Sequence, residues 1–286
     1  MFKTPSIGGV FYCYFHYLYV QMDESTKYSR TLHFPISKGT TSDDRILSPG
    51  YLLPISKMNL IATEKLDGQN DCLKKDGVFA RSHTAPSAHP WDKPLWDRWN
   101  LIKNDLKDLE IFGENMYGIH SIGYKKLESF YYVFAVREKG VWLSWEEVKF
   151  YAGMLDFPTV PVINFEKQLS DFIIDKRAED ECLRDWLCSF LKVDWEEYTD
   201  TSGALDGYDP LTDKPACEGF VFRNAESFKT NEGTILTKPN EFNNVFKLVR
   251  AKHVKTDEHW TRNWKPATLI NSEKYKWYGY DFIKKE

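Results

Sequence analysis

Glu64-Lys65-Leu66-Asp67-Gly68-Gln69-Asn70 sets a lysine two residues before an Asp-Gly turn signal, and the apolar run Leu60-Ile61-Ala62 leads into it. The pattern predicts a buried strand that carries one amine to the floor of a pocket and turns sharply at Gly68. An amine held near apolar surface loses its proton more readily, because desolvation disfavours the ammonium form, and the neutral amine is a nucleophile. Alone, the same residues also fit a surface hairpin with a solvated lysine. The surrounding chain has to decide.

Outward from that stretch, 61–66, 71–74 and 78–81 read as short strands, with Lys75-Asp76-Gly77 as a hairpin turn. Residues 82–94 carry Pro86, Pro90 and Pro94 and read as loop. Leu95, Trp99, Ile102 and Leu106 then recur at helical spacing and predict an amphipathic helix over 95–109. Strands are expected at 110–117, 130–137, 141–143, 159–163, 218–223 and 245–249. Ser144 and Glu147 form a capping box ahead of the stripe Val148, Tyr151, Ala152 and Leu155. Residues 166–192 read as two helices broken near 177–180, and 198–216 as a long polar loop. The segment 23–54, centred on Thr40-Thr41-Ser42-Asp43-Asp44-Arg45, reads as irregular chain wrapped on the domain, a surface loop rather than a substrate-facing one. The tail after Thr256 holds Trp260, Trp264 and Trp277 and is expected to dock on the domain. The expected organisation is an N-terminal extension over 1–22, one α+β domain of mainly antiparallel sheets flanked by helices over 23–255, and a short C-terminal docking tail over 256–286.

Composition narrows the class. A formal charge of −4 argues against a protein that simply coats nucleic acid, while leaving room for a local basic groove. The 10 Trp, 16 Tyr and 19 Phe supply core mass first and stacking faces second. Cys13, Cys72, Cys182, Cys188 and Cys217 are odd in number and lack a Cys-x-x-Cys pair, so neither a disulfide framework nor a structural zinc is expected. Free thiols fit a reducing, cytoplasmic setting. No apolar run reaches the length of a bilayer span, so no membrane partner is expected. Residues 2–21 are too rich in tyrosine for a signal peptide. They fit an edge strand or an upstream extension with Met22 as a second start.

Several strands carry charge where a purely structural strand would not. Arg81 ends one, Glu114 sits inside Ile111-Phe112-Gly113-Glu114-Asn115-Met116-Tyr117, Glu218 opens Glu218-Gly219-Phe220-Val221-Phe222, and Lys247 interrupts Val245-Phe246-Lys247-Leu248-Val249. Buried charge is costly unless paired or used chemically. With Lys65 the set supplies two lysines, an arginine and two carboxylates, which suits a phosphate chain with a divalent metal.

In this order the segments resemble the motifs of the covalent nucleotidyltransferase superfamily, and within it the RNA ligase 2-like ATP-dependent RNA ligases. Glu64-Lys65-Leu66-Asp67-Gly68 resembles the nucleophile motif, with Asn70 at the polar position that follows. Ala80-Arg81-Ser82 and Phe112-Gly113-Glu114-Asn115 resemble the second and third motifs. Phe134, in Tyr132-Val133-Phe134-Ala135, resembles the ring that stacks on adenine, and plain core packing is an equal reading of it. Glu218-Gly219-Phe220-Val221 and Phe246-Lys247-Leu248-Val249-Arg250 resemble the last two.

The resemblance implies an ATP-dependent RNA ligase joining RNA 5′-phosphate and 3′-hydroxyl ends, with ATP and Mg2+ (or Mn2+) as cofactors. It implies Lys65 as the adenylated nucleophile, Lys247 at the α-phosphate, Glu218 at the metal, Glu114 at the ribose and Glu64 near the adenine edge. Arg81 and Asn70 would serve phosphate and RNA ends. Two departures stand out. Where the last motif usually holds a second lysine the chain has Val249, and Arg250 or Lys252 is the candidate replacement. The chain after His253 is too short for the oligonucleotide-binding barrel of DNA ligases and capping enzymes. Arg250, Lys252, His253 and Lys255 fit RNA phosphate contacts or a solvated basic strand end equally well. A DNA ligase or capping-like nucleotidyltransferase, and a silent nucleotide- or RNA-binding module, are the alternatives.

Overall fold

The computed structural model describes residues 28, 30–81, 85–163, 179–191, 201–229, 244–251 and 260–270. Expectations for 1–22, Ser82, His83, 164–178, Lys252, His253, Lys255 and Trp277 fall outside these residues. What is described is a mixed α+β fold built on two largely antiparallel sheets.

The described residues form thirteen strands and four α-helices: β1 (Leu32–His33), α1 (Leu52–Ile55), β2 (Leu60–Lys65), β3 (Gln69–Lys74), β4 (Gly77–Ala80), α2 (Lys93–Leu106), β5 (Leu109–Asn115), β6 (Gly123–Tyr124), β7 (Tyr131–Glu138), β8 (Val141–Trp142), α3 (Trp145–Met154), β9 (Val162–Ile163), α4 (Glu179–Leu191), β10 (Gly207–Tyr208), β11 (Gly219–Asn224), β12 (Phe228–Lys229) and β13 (Val245–Val249). One sheet runs β1-β13-β11-β2-β9 and the other β12-β8-β7-β5-β3-β4, while β6 and β10 pair alone. Among the described strands only β1 joins its sheet in parallel.

Alternation along each strand sends one face of each sheet into a core. Leu60, Ala62, Phe220, Phe222, Phe246 and Leu248 of the first sheet pack on Leu183, Trp186 and Leu187 of α4 and on Phe34, Leu52 and Ile55. Leu73, Ile111, Val133 and Val136 of the second pack on Leu95, Ile102 and Leu106 of α2 and on Val148 and Ala152 of α3. Full burial of each such side chain contributes about 1.5–3 kcal/mol, so these two layers dominate the stability. The opposite faces of the two sheets line a common cavity.

Most element expectations match, with instructive differences. The helix expected over 95–109 closes at Leu106, because Lys107 takes a left-handed backbone (φ 47°) and Leu109 already pairs in β5. The capping box of α3 forms as expected, Ser144 accepting from the Glu147 amide and Glu147 from the Ser144 amide. Of the strand expected at 159–163 only Val162–Ile163 pairs on β2, while Thr159 bridges Val133 of the other sheet. The loop expected at 198–216 contains β10. The N-terminal arm is irregular as expected but not superficial: Phe34, Leu52 and Ile55 are buried, and β1 extends the first sheet. Among the described residues no helix is long and apolar enough to cross a membrane.

Candidate active site

Register places the charged residues. Lys65 pairs with Gly219, which pairs with Val249, and one step along Thr63, Val221 and Lys247 form the next row on the same face. On the facing sheet Asn70 pairs with Glu114. The cavity between them is about 730 Å3 and is lined by Lys65, Asn70, Arg81, Glu114, Phe134 and Lys247, together with Tyr28, Trp91, His120 and Trp260. That volume is within the range of clefts that bury a nucleotide-sized ligand.

Lys65 Nζ lies 2.7 Å from both carboxylate oxygens of Glu218. Glu114 Oε1 accepts from the Gly68 amide at 3.1 Å. Gly68 is required there, because an added Cβ would sit 2.5 Å from the Asn115 carbonyl oxygen. Asp67 accepts from the Ser121 amide (2.8 Å) and hydroxyl (2.6 Å), which anchors the turn after the nucleophile. Beneath it, Asn115 Nδ2 donates to Asp71 (2.9 Å) and Asp92 (3.1 Å), and Gln69 Nε2 donates to the same pair at 2.7 and 3.1 Å. Burial pushes both aspartates up, so the pair holds a proton more readily than free carboxylates do.

The electrostatics follow from crowding in a dry site. Burial pushes Glu114 up to about 8 and Glu218 up to about 7, with Lys65 pulling both partly back. Burial disfavours the Lys65 ammonium, yet Glu218, Glu114 and Asp67 outweigh it and hold the amine protonated. Lys247 is held below its ordinary value by burial and by the charge of Lys65. The carboxylates repel one another, which suits a cation. Among the described residues no group of three or more His, Cys, Asp or Glu side chains converges as a metal cage. A divalent ion here fits one protein carboxylate completed by water and phosphate oxygens, a coordination habitual for magnesium.

The remaining expected residues are spread around this centre. Phe134 lines the cavity, and the Tyr28 ring meets it edge-on at 5.3 Å. Arg81 Nε donates to the Tyr28 carbonyl at 3.3 Å. Asn70 Oδ1 is buried without a hydrogen-bond partner among the described residues. Glu64 leaves β2 on the opposite side from Lys65, since neighbours in a strand diverge, and its Oε2 accepts from the Ala204 amide at 2.8 Å. Burial there pushes Glu64 up to about 7. Arg250 is buried and does not line the cavity.

Sequence reasoning missed the part played by the N-terminal arm. Asp44 reaches Lys247 Nζ at 3.5 Å and His33 Nε2 at 3.1 Å, and accepts from the Thr41 amide and hydroxyl at 2.9 Å each. Burial, then the charge of Lys247, lowers His33 to about 4, which leaves it neutral at neutral pH. Ser37 and Gly39 lie over Val249: the Val249 amide donates to Ser37 Oγ at 2.9 Å, and a Cβ on Gly39 would come 2.8 Å from Val249 Cγ1. The position of the usual second lysine is therefore roofed by chain. The only signal was the polar turn Thr41-Ser42-Asp43-Asp44, which gives no hint of its distant partner.

A model of the RNA ligase family matches residues 58–249, from just before β2 to the end of β13. The chain belongs to the RNA ligase family. No curated protein matches it. Among solved structures it is similar to a mutant Naegleria gruberi RNA ligase with ATP and Mn, at 16% identity and TM-score 0.36, covering 65% of this chain and 54% of that one. It is also similar to an archaeal ATP-dependent RNA ligase (14%, TM-score 0.38, 77% and 48%) and to a putative ATP-dependent DNA ligase from Aquifex aeolicus (16%, TM-score 0.38, 75% and 50%). The chain spans about half the length of these structures. The family region holds Lys65, Arg81, Glu114, Phe134, Glu218 and Lys247; Tyr28, Asp44 and Trp260 lie outside it.

Proposed function

We propose that this RNA ligase family member is an ATP-dependent RNA ligase that joins 5′-phosphate to 3′-hydroxyl RNA ends through covalent nucleotidyl transfer. The observation that carries the reading is Lys65 at the end of β2, paired with Glu218 and sharing one cavity with Glu114 and Lys247. Binding alone would not call for an amine so placed.

In the first step the neutral Lys65 amine attacks the α-phosphorus of ATP. An N–P bond forms, the bond from that phosphorus to the bridging oxygen breaks, and pyrophosphate leaves. Lys247 faces the charge that develops on the phosphate oxygens, where a fixed cation stabilises it without reorganisation. Phe134 supplies a stacking face for the base and Glu114 an acceptor for the ribose. A divalent cation, Mg2+ or Mn2+, would be held by Glu218 and would supply charge neutralisation at the phosphates. Were Glu218 so engaged, Lys65 would lose its nearest counter-charge, and burial would then favour the neutral amine. Next an oxygen of the RNA 5′-phosphate attacks the adenylate phosphorus and the N–P bond breaks, returning Lys65. The 3′-hydroxyl finally attacks the activated 5′-phosphate, and AMP leaves. Arg81 and Asn70, which line the same cavity, would serve the phosphates and RNA ends.

The test is covalent labelling. Protein incubated with magnesium and α-labelled ATP retains label after denaturation, GTP does not replace ATP, and Lys65→Ala abolishes the signal. An unlabelled protein would sink the ligase reading, and label from GTP would move it toward capping chemistry.

A further inference from the structure

The cavity has a second aromatic end that the steps above leave unused. His89 and Trp91 stack at 4.7 Å with 12° between planes. Trp260 stands edge-on to Trp91 at 4.7 Å and itself stacks on His120 at 3.7 Å and 25°. All four rings line the same cavity as Lys65. The wall is fastened to the turn after the nucleophile: Trp91 Nε1 donates to Gln69 Oε1 at 2.7 Å, and His120 Nδ1 stands 4.0 Å from Asp67.

We infer that this wall seats the base of an RNA nucleotide at the joint, on the far side of Lys65 from the ATP base. The inference rests on the ligase reading for the identity of the ligand. Phe134 lies on β7, two strands away from Gln69 on β3 and three residues along from the register partner of Asn115, Tyr131. Strand spacing and rise put these positions on the order of 14 Å apart, so one purine cannot occupy both ends. ATP with its base at Phe134 brings its phosphates to Lys65. The chain beyond Lys65 then offers rings rather than cations, and rings receive bases. Stacking on aromatic side chains is tolerant of sequence, which suits an enzyme that must accept varied ends. Of the four rings only Trp260 comes from outside the region that the family model matches.

Binding and chemistry can be read separately. In the full-length protein, anisotropy of a labelled 5′-phosphorylated oligoribonucleotide needs no catalysis. Trp260→Ala is expected to weaken it roughly tenfold and His89→Ala several-fold, the range for losing a base–aromatic contact. Trp260→Phe keeps a ring and recovers most of the affinity. The loss in RNA binding should exceed any change in self-adenylation about tenfold. His89 is exposed, so its substitution does not threaten the fold. Unchanged RNA affinity in His89→Ala and Trp260→Ala overturns the inference while leaving the ligase reading intact. A parallel fall in self-adenylation overturns it too, because the wall would then serve ATP. Absence of lysyl-adenylate with RNA binding still lost on substitution would strike the ligase reading alone.

Discussion

The strands between Leu60 and Val249 and the arms that flank them build the cavity by different means. Within the strands, each functional side chain is fixed by register: Lys65 opposite Gly219, Lys247 beside Val221, Glu114 across from Asn70. From the arms, Tyr28 and Asp44 arrive on irregular chain and Trp260 on a short 3-10 helix. The sheets thus carry the groups proposed for chemistry, while the arms carry groups that charge-balance, cover or extend them. A lattice of backbone hydrogen bonds holds the first set within small tolerances. The second set depends on individual side-chain contacts, and its removal should tune the site rather than abolish it.

The sharpest test of that division is Val249→Lys, which restores the residue usual for the last motif. If the arm roofs this position as Ser37 and Gly39 indicate, the new ammonium is buried without a partner in the same row as Lys65. Denaturant unfolding should show a loss of about 4 kcal/mol, the scale of an uncompensated buried charge. Self-adenylation should not rise. A variant of unchanged stability that labels faster would show that the arm leaves this face open.

Legibility in the sequence divides along the same line. The strands were readable because alternation and apolar runs leave a local signature, and α3 because its capping box is local too. The divergence of Glu64 from Lys65 was also implicit in strand alternation, and Glu64 meets the Ala204 amide while still bordering the cavity. The departure at Val249 was visible, but its cause was not, because Gly39 touches it from more than two hundred residues away in sequence. The ion pair of Asp44 and Lys247 spans 203 residues and has no periodicity on the Asp44 side. The end of α2 depended on a left-handed Lys107, a conformation that lysine rarely advertises.

Some strand residues cost stability, and Glu64 is one of them. Glu64 has a folded value near 7, above the ordinary value for glutamate, through burial. Its contribution is therefore intact below the unfolded value and lost as pH rises through the folded one. Glu64→Gln keeps an acceptor for the Ala204 amide and removes the charge. At pH 8 the variant should be more stable by about 3 kcal/mol, and the gap should close as pH falls toward 4.5. Thermal unfolding across that range checks it. A gap independent of pH would mean that packing, not ionisation, sets the difference.

The smallest expected effect bears most directly on the arm. Asp44→Asn preserves size and much of the Thr41 contact while removing the negative charge 3.5 Å from Lys247. His33 is neutral at this pH and does not compensate. Burial and Lys65 already press Lys247 toward deprotonation, and Asp44 opposes them. Its loss should move the alkaline limb of the self-adenylation profile to lower pH and slow the reaction near neutrality roughly fivefold, about 1 kcal/mol for a partly buried pair. Adding Lys247→Arg should return the limb, because guanidinium does not deprotonate in this range. An unmoved limb would reduce the arm to scaffolding. A moved limb restored by arginine would place Asp44 in the electrostatics of the site, although it lies outside the region that defines the family.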